Sequence, residues 1–440
     1  MYARVVLRRV GACARVLPGR AFPVRARHRL WWVTWRELLR SPSAEGRGTF
    51  AWGVVVVARG PRRTAEGEAA RREAAASGAA GQFLAAGASA AGLVWPPVAW
   101  EREGAIAERL ARNPFLMAPM AGVTDAAYRL MARAGGASLA YSEMVSVTGI
   151  HYKSEKTWEL VDPNPAEPEL AVQLFGSDVD HFYEAVPLVA ERLGERLALV
   201  DVNMACPVPK VTRSGAGSAL LDEPGRAADI VRALREGLDA CGRSWVPVTV
   251  KMRIGRRPDA VVGPEFARAM EAAGAAAIAV HGRFASQLYR GESNAHEVAR
   301  VVEAVDVPVI ASGDVLDARR AATLLDVTGA AGCFVARGSY GNPWVFRDAS
   351  RELAALRDTG RPGAEAPTAP MRLAAFRLHV RLLEACGSHI ARARSLAGWY
   401  LRGVPDAAAW RERAMHCADE ADYLALADEL EASLAQGDVA

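Results

Sequence analysis

From Asn113 onward the sequence repeats one alternation eight times, and that regularity narrows the possible folds more than any single motif does. Apolar runs bounded by turn residues lie at Leu116–Met120, Leu139–Val145, Leu170–Phe175, Ala198–Met204, Val248–Ile254, Ala277–His281, Val307–Ala311 and Gly332–Ala336. Between them stand amphipathic stretches such as Asp125–Ala134, Val179–Leu193, Ala227–Ala240, Pro264–Ala273, Asn294–Ala304 and Asp317–Asp326, which read as helices. Strands that alternate with helices pair in parallel through right-handed crossovers, and eight such units close into an α/β fold, a (β/α)8 TIM barrel, over residues 113–356. An open doubly wound sheet is the competing arrangement, but no GxGxxG follows the first run.

The fourth run leads into Val200–Leu221, VDVNMACPVPKVTRSGAGSALL, the stretch around which the rest is organised. Pro207 and Pro209 forbid continued strand or helix directly after Cys206, so the thiol sits on a rigid loop at the C-terminal end of a strand. In a parallel barrel that end carries the chemistry. A lone cysteine is more often a small buried hydrophobe. Here Asn203 stands three residues before it, Lys210 four after, and a Gly-Ala-Gly segment follows.

Other strand ends repeat the pattern. Pro119-Met120-Ala121-Gly122 follows the first, Gln173 lies in the third, Lys251 and Arg253 in the fifth, His281 and Arg283 at the sixth, Ser312-Gly313-Asp314 at the seventh and Arg337-Gly338 at the eighth. An apolar strand tolerates such groups where something satisfies them, so their convergence on one mouth implies a binding site. Gly313, Ala336-Arg337-Gly338 and the helix-opening Gly341-Asn342-Pro343-Trp344 are expected to cradle a phosphate, with Arg337 as a charged fork. Gln173, Lys251 and His281 remain for a planar heterocycle. The cup therefore reads as one for flavin mononucleotide (FMN), with a phosphorylated sugar or indole substrate as the alternative.

The flanks differ in character. Residues 1–110 are Arg-rich and then Ala/Gly-rich without sustained period, and nine arginines precede the first acid, Glu37. A presequence, a disordered basic extension and translation from upstream of the true start compete as explanations, and the last two are favoured. Neither the short run Val54–Ala58 nor the uncharged residues 74–100, with Pro96-Pro97, makes a convincing membrane span. Residues 357–370 form a Gly/Pro-rich linker, and 371–440 read as helices only. The six cysteines lie far apart without a CxxC pair, so no metal site or disulfide framework is expected and a reducing, cytoplasmic setting is. Of 54 basic residues only Lys153, Lys156, Lys210 and Lys251 are lysines, a weak hint that guanidinium would not serve at the last two.

With these residues in view, the chain resembles the tRNA-dihydrouridine synthases. The resemblance rests on APMAGVTDAAYR at 118–129, VQLFGSD at 172–178, DVNMACPVPKVTRSGAGSALL at 201–221, VKMRIG at 250–255, VHGR at 280–283, SGDV at 312–315 and ARGSYGNPW at 336–344. It implies that Pro119, Met120 and Ala121 line an FMN through their backbone. Gln173, Lys251 and His281 would bond its ring, and Ser312, Gly313, Asp314, Ala336 and Arg337 its ribityl phosphate end. Cys206 would be the acid that protonates C5 of a uracil whose C6 receives hydride from the opposite face, with NADPH as electron donor. Asn203, Lys210, Arg253, Arg283 and Arg394 are the expected substrate contacts, in a monomer whose partner is tRNA. The C-terminal helices would grip that RNA through the Arg394…Trp399-Tyr400 segment. The chain departs from the family pattern at Ser395-Leu396, at Asn294-Ala295 and at Ser312. A flavin barrel acting on a free pyrimidine, in the manner of dihydroorotate dehydrogenase, and a non-catalytic tRNA-binding protein are the other readings.

Overall fold

The computed structural model describes residues 78–95, 106–358 and 363–436 with their side chains, and Gly437 and four short strands nearer the N-terminus as backbone. Those four belong to a separate unit, Met1–Gly67, in which Val6–Arg9 pairs antiparallel with Trp52–Val55 and Val24–Ala26 with Arg29–Trp31. Cys13, Pro96-Pro97, the middle of the 357–370 linker and most of the Arg-rich and Ala/Gly-rich stretches lie outside the described residues.

The second unit, Glu68–Ala440, contains all eight expected strands. They are β1 (Phe115–Met117), β2 (Tyr141–Ser146), β3 (Leu170–Phe175), β4 (Leu197–Met204), β5 (Val248–Arg253), β6 (Ala277–His281), β7 (Val309–Ser312) and β8 (Gly332–Val335). Their order is β1-β8-β7-β6-β5-β4-β3-β2, and a parallel bridge from Met117 to Ala140 joins β1 to the approach of β2, closing the ring. Every neighbour is parallel. Strands covered on both faces need apolar residues at nearly every position, which is why they read as continuous runs.

Side-chain caps set where several of the outer helices begin. Asp125, Asp178, Asn294 and Asp317 each accept a backbone N–H of the first turn, opening helices Ala126–Ala134, Val179–Leu193, Ala295–Val302 and Ala318–Thr328. Inside the ring, Leu116, Leu139, Tyr141, Leu199, Ile310 and Phe334 fill the barrel, with Tyr141 and Phe334 edge to face at 4.9 Å. Ile106 and Leu110 join this interior from helix Ile106–Arg112, which plugs the floor. Gly332 makes room for the plug, since a Cβ there would lie 2.7 Å from a Leu110 methyl.

The expected boundary at residue 110 therefore needs correction. Besides the plug, helix Ala79–Gly87 and the turn after it are packed into the same core as the C-terminal helices, with Leu84 and Ala91 fully buried. Trp344 Nε1 donates to Ala91 O at 2.7 Å and Arg347 Nη1 to Gly92 O at 2.7 Å. The C-terminal region is helical as expected, with helices Ala369–Ala385, Ala393–Tyr400, Ala407–His416 and Glu420–Gly437. Among the described residues no helix is long and apolar enough to cross a membrane.

Candidate active site

The loop after β4 is fixed at three points. Asn203, buried at the strand end, turns its side-chain oxygen back to accept the amides of Ala205 (3.1 Å) and Cys206 (2.9 Å). Cys206 O accepts from Ser218 N at 2.9 Å. Gly217 has φ of +62°, and a Cβ on it would stand 2.6 Å from that same carbonyl, so the Gly-Ala-Gly sequence serves close packing as well as backbone shape. The result is a half-buried thiol at the rim. Lys210 is exposed on the one-turn helix Pro209–Thr212 that follows.

Behind this loop lies a buried polar group of three strands. Asn203 Nδ2 donates to Gln173 Oε1 (2.8 Å), Gln173 Nε2 to Asp201 Oδ2 (2.7 Å) and Thr249 Oγ1 to Asp201 Oδ1 (2.6 Å). Lys251 lies on β5 in register with Asn203 on one side and Ala279 on the other. Burial pushes its ammonium down to about 8, helped by Arg253 and opposed by Asp201 and Cys206. Among the described residues Lys251 meets these charges and donates a hydrogen bond to no protein acceptor. A three-donor cation inside a barrel with no acceptor is the strongest mark of a binding site here.

The opposite wall is charged. His281, buried at the end of β6, is held well below the usual imidazole range by burial and then by Lys251, Arg253, Arg283 and Arg337. Its Nε2 lies 3.4 Å from Arg283 Nη1. A guanidinium only donates, so Nε2 accepts and the neutral ring carries its proton on Nδ1. After β7 the chain turns through Gly313, at φ +127°, where a Cβ would come within 2.1 Å of Ser293 Oγ and 3.0 Å of the His281 ring. Asp314, at φ +54°, receives both contacts of Arg283 Nη2 (2.7 Å each), Ser293 N (2.8 Å) and Arg337 Nη2 (3.3 Å). Burial lifts its carboxyl, but the Arg283 and Ser293 hydrogen bonds outweigh that and hold it below the usual range. Arg337, on the single turn Arg337–Ser339, is exposed, with Asp314 steering it.

The structure gives several expected site residues a different task. Arg283 is buried and spends its donors on Asp314 and on the carbonyls of Arg290 and Gly291, so it shapes the loop after β6 instead of facing substrate. Arg253 is likewise buried, with Nε on Ala205 O (3.0 Å) and Nη1 on Phe284 O (2.9 Å) and Leu288 O (3.0 Å), tying the thiol loop to the loop after β6. Asp314 is a hub for arginines, which orients Arg337. The segment Gly341-Asn342-Pro343-Trp344 leads straight into helix Val345–Asp358, whose first turn places Asp348 N on Trp344 O at 2.9 Å. It is a joint: Gly341, at φ +63°, lies so close to the C-terminal helices that a Cβ would stand 2.6 Å from the Trp399 backbone. Trp399 stacks on Tyr340 at 4.2 Å and Tyr400 is buried, so both aromatics serve that joint. Arg394 is exposed and lies beside Tyr423 within the C-terminal domain.

The expected first-strand loop is present but its brace was not foreseen. Pro119 and Met120 are partly buried and Ala121 is exposed. Thr124 Oγ1 holds Met120 N (3.2 Å), Glu143 Oε2 accepts Gly122 N (2.6 Å), and Arg392 from the C-terminal domain donates to Gly122 O (3.0 Å) and to Glu143 (3.3 Å). Asp201 and Thr249 were also missed. Their signal was a polar residue inside an otherwise apolar strand, the same signal that marked Gln173 and Lys251.

Fold and mouth together define a (β/α)8-barrel enzyme whose polar cup lies at the carboxyl ends of its strands. Comparison with known proteins gives the family: residues 116–436 match the dihydrouridine synthase (Dus) family. The chain is 34% identical over 320 residues to "Probable tRNA-dihydrouridine synthase 1" of Synechocystis sp., covering 72% of this chain and 86% of that one. It is 36% identical over 304 residues to "tRNA-dihydrouridine synthase B" of Pseudomonas syringae pv. tomato, covering 68% and 86%. A third relative, "Probable tRNA-dihydrouridine synthase" of Treponema pallidum, is 34% identical over 318 residues, covering 70% and 90%. The chain belongs to the dihydrouridine synthase family.

Proposed function

We propose that this protein is a monomeric, cytoplasmic, FMN-dependent enzyme that reduces specific uridines of tRNA to 5,6-dihydrouridine with electrons from NADPH, Cys206 being the proton donor. The observation that carries the cofactor is Lys251, a buried ammonium without a protein acceptor. It stands near Gln173, one Nε2 hydrogen of which is not spent on Asp201, and near a neutral His281 with Nδ1–H to give. A flat heterocycle rich in carbonyl and ring-nitrogen acceptors fits these three donors. Its phosphate end fits Arg337 and the turn at Gly313, where the chain passes against Ser293 and the His281 ring with no side chain of its own. Bound FMN would supply the hydride.

The chain's own residues do the rest. Reducing a uracil 5,6 bond places hydride on one carbon and a proton on its neighbour, so an acid has to reach C5 from the face opposite the hydride. Cys206 Sγ, on a loop held by Asn203, Ser218 and Arg253, is that acid. Lys251 draws the negative charge that develops as hydride arrives. The uridine must leave its stack to enter so deep a mouth. Lys210 and Arg394, both exposed, are the expected residues that would offer cationic surface to RNA.

The test is direct. Purified protein should be yellow with about one FMN per chain, as a single cup requires, and tRNA from cells lacking it should lose dihydrouridine by mass measurement. Colourless protein that FMN cannot reconstitute would overturn the cofactor assignment, and unchanged tRNA the substrate.

A further inference from the structure

Asp201 is a buried carboxylate that the chemistry above does not use. It stands on β4 at 1% exposure, two residues before Asn203, and its two oxygens receive Gln173 Nε2 and Thr249 Oγ1. Lys251 faces it from β5 and Tyr141 from β2. A carboxylate can only accept, so the Gln173 amide has one permitted orientation, with nitrogen toward Asp201 and oxygen toward Asn203. That oxygen takes Asn203 Nδ2 at 2.8 Å, which turns Asn203 Oδ1 to the backbone amides of Ala205 and Cys206. An acceptor at one end and two N–H donors at the other thus agree on the polarity of every link between them.

We propose that Asp201 is a positioning residue: through the chain Asp201–Gln173–Asn203 it sets the turn that presents the Cys206 thiol, and it fixes which edge of the Gln173 amide remains for a ligand. The role for the thiol rests on reading Cys206 as the proton donor, whereas the chain itself is a property of the protein alone. Burial explains why the link is worth having. The carboxyl is pushed up to about 6 by desolvation, opposed by Gln173, Thr249 and Lys251, so the fold tolerates a costly group where an apolar residue would pack.

The experiment reads the thiol and needs no cofactor. Peptide-mapped alkylation by iodoacetamide follows Cys206, with exposed Cys241 as internal reference. Asp201→Leu, of similar volume, deletes the acceptor. Alkylation of Cys206 should then rise by roughly three- to tenfold, the factor one lost hydrogen bond carries, with Cys241 unchanged. Asp201→Asn keeps an oxygen that can accept from Gln173 and should stay near wild type. Gln173→Met cuts the next link and should match Asp201→Leu, and the double variant should add little, because both cut one chain. If Asp201→Leu does not fold, Gln173→Met decides alone. Unchanged Cys206 alkylation in the folded variants, a parallel rise at Cys241, or full additivity would each overturn the proposal. A wild-type protein that holds no flavin would defeat the functional reading and leave this result standing.

Discussion

Floor and mouth of the barrel both bury cations, and they treat them in opposite ways. At the floor Arg109 and Arg133 converge on Glu169, at 2.7 and 3.1 Å, and Arg133 also donates to the carbonyls of Ala137 and Ser138. At the mouth Lys251 is buried too, yet among the described residues it donates a hydrogen bond to no carboxylate or carbonyl, and His281 is held neutral among four cations. The floor cations face a carboxylate and carbonyls of the protein itself, although Arg133 Nε has no partner, whereas the mouth leaves donors of Lys251 open to a ligand or water. Polar groups at the amino ends of barrel strands commonly serve stability and those at the carboxyl ends serve chemistry. Here the distinction is visible in the hydrogen bonds themselves.

The sharpest way to break this contrast is at the thiol. Cys206→Ala should lower dihydrouridine formation by about 10² to 10⁴-fold, the usual worth of a general acid, while leaving flavin content, NADPH oxidation and melting temperature nearly intact. Wild-type uridine reduction by a folded, flavin-loaded variant would remove Cys206 from the chemistry. The mirror experiment is at the floor. Glu169→Ala leaves two buried guanidiniums facing each other and should cost about 3–5 kcal/mol in denaturant unfolding, with turnover per folded molecule unchanged. A loss of turnover without loss of stability would show that floor and mouth are not separable in this way.

Most of the barrel was legible because parallel strands covered on both faces must be written as apolar runs. β3 and β6 fall on the predicted residues, Leu170–Phe175 and Ala277–His281. The floor and the joint to the C-terminal helices were not legible. Residues 79–93 are mostly Ala and Gly, which carry little hydrophobic contrast around the buried Leu84 and Leu93, and Gly87 is useful because a Cβ there would crowd Leu378 at 3.2 Å. The same limit explains Trp344: its burial depends on Ala91 O, some 250 positions earlier, which no local pattern reports. Residue type marked the polar mouth but not the local partners, since Arg253 and Arg283 look like ligand-binding arginines until the carbonyls they hold are seen. Removing residues 1–77 should accordingly leave the melting temperature where it is. Removing 1–95 should cost about 2–5 kcal/mol, as emptying a buried leucine site does. Equal stability of the two truncations would return residues 78–95 to the extension.

A smaller effect tests the side of the mouth proposed to take the phosphate. Arg337→Ala removes one exposed charged fork and should weaken FMN by roughly tenfold to a hundredfold, in line with a lost charge-assisted hydrogen bond. Riboflavin, which lacks the phosphate, should bind the variant and the wild type alike. Equal loss of both ligands would mean that Arg337 acts through Asp314 on the shape of the cup.

Lys251 supplies the last and most discriminating measurement, because its sign is unusual. Its folded-state value lies near 8, below the ordinary 10.5. Between those limits the unfolded chain holds a proton that the folded chain has released, so the stability of ligand-free protein should rise with pH across that window. Below pH 8 the full penalty of a buried charge is present. Lys251→Met, which keeps the volume and deletes the charge, should therefore make the ligand-free protein more stable at pH 7, by about 1–3 kcal/mol for a shift of this size. That advantage should shrink steadily from pH 8 toward 10.5. Bound FMN should also shrink it, since the ligand gives the ammonium the acceptor that the protein withholds. Arg109→Met at the floor should do the reverse and destabilise at every pH, because it removes a partner of Glu169. A Lys251→Met protein that is less stable than wild type at pH 7 would mean that the mouth satisfies its own cation, as the floor does.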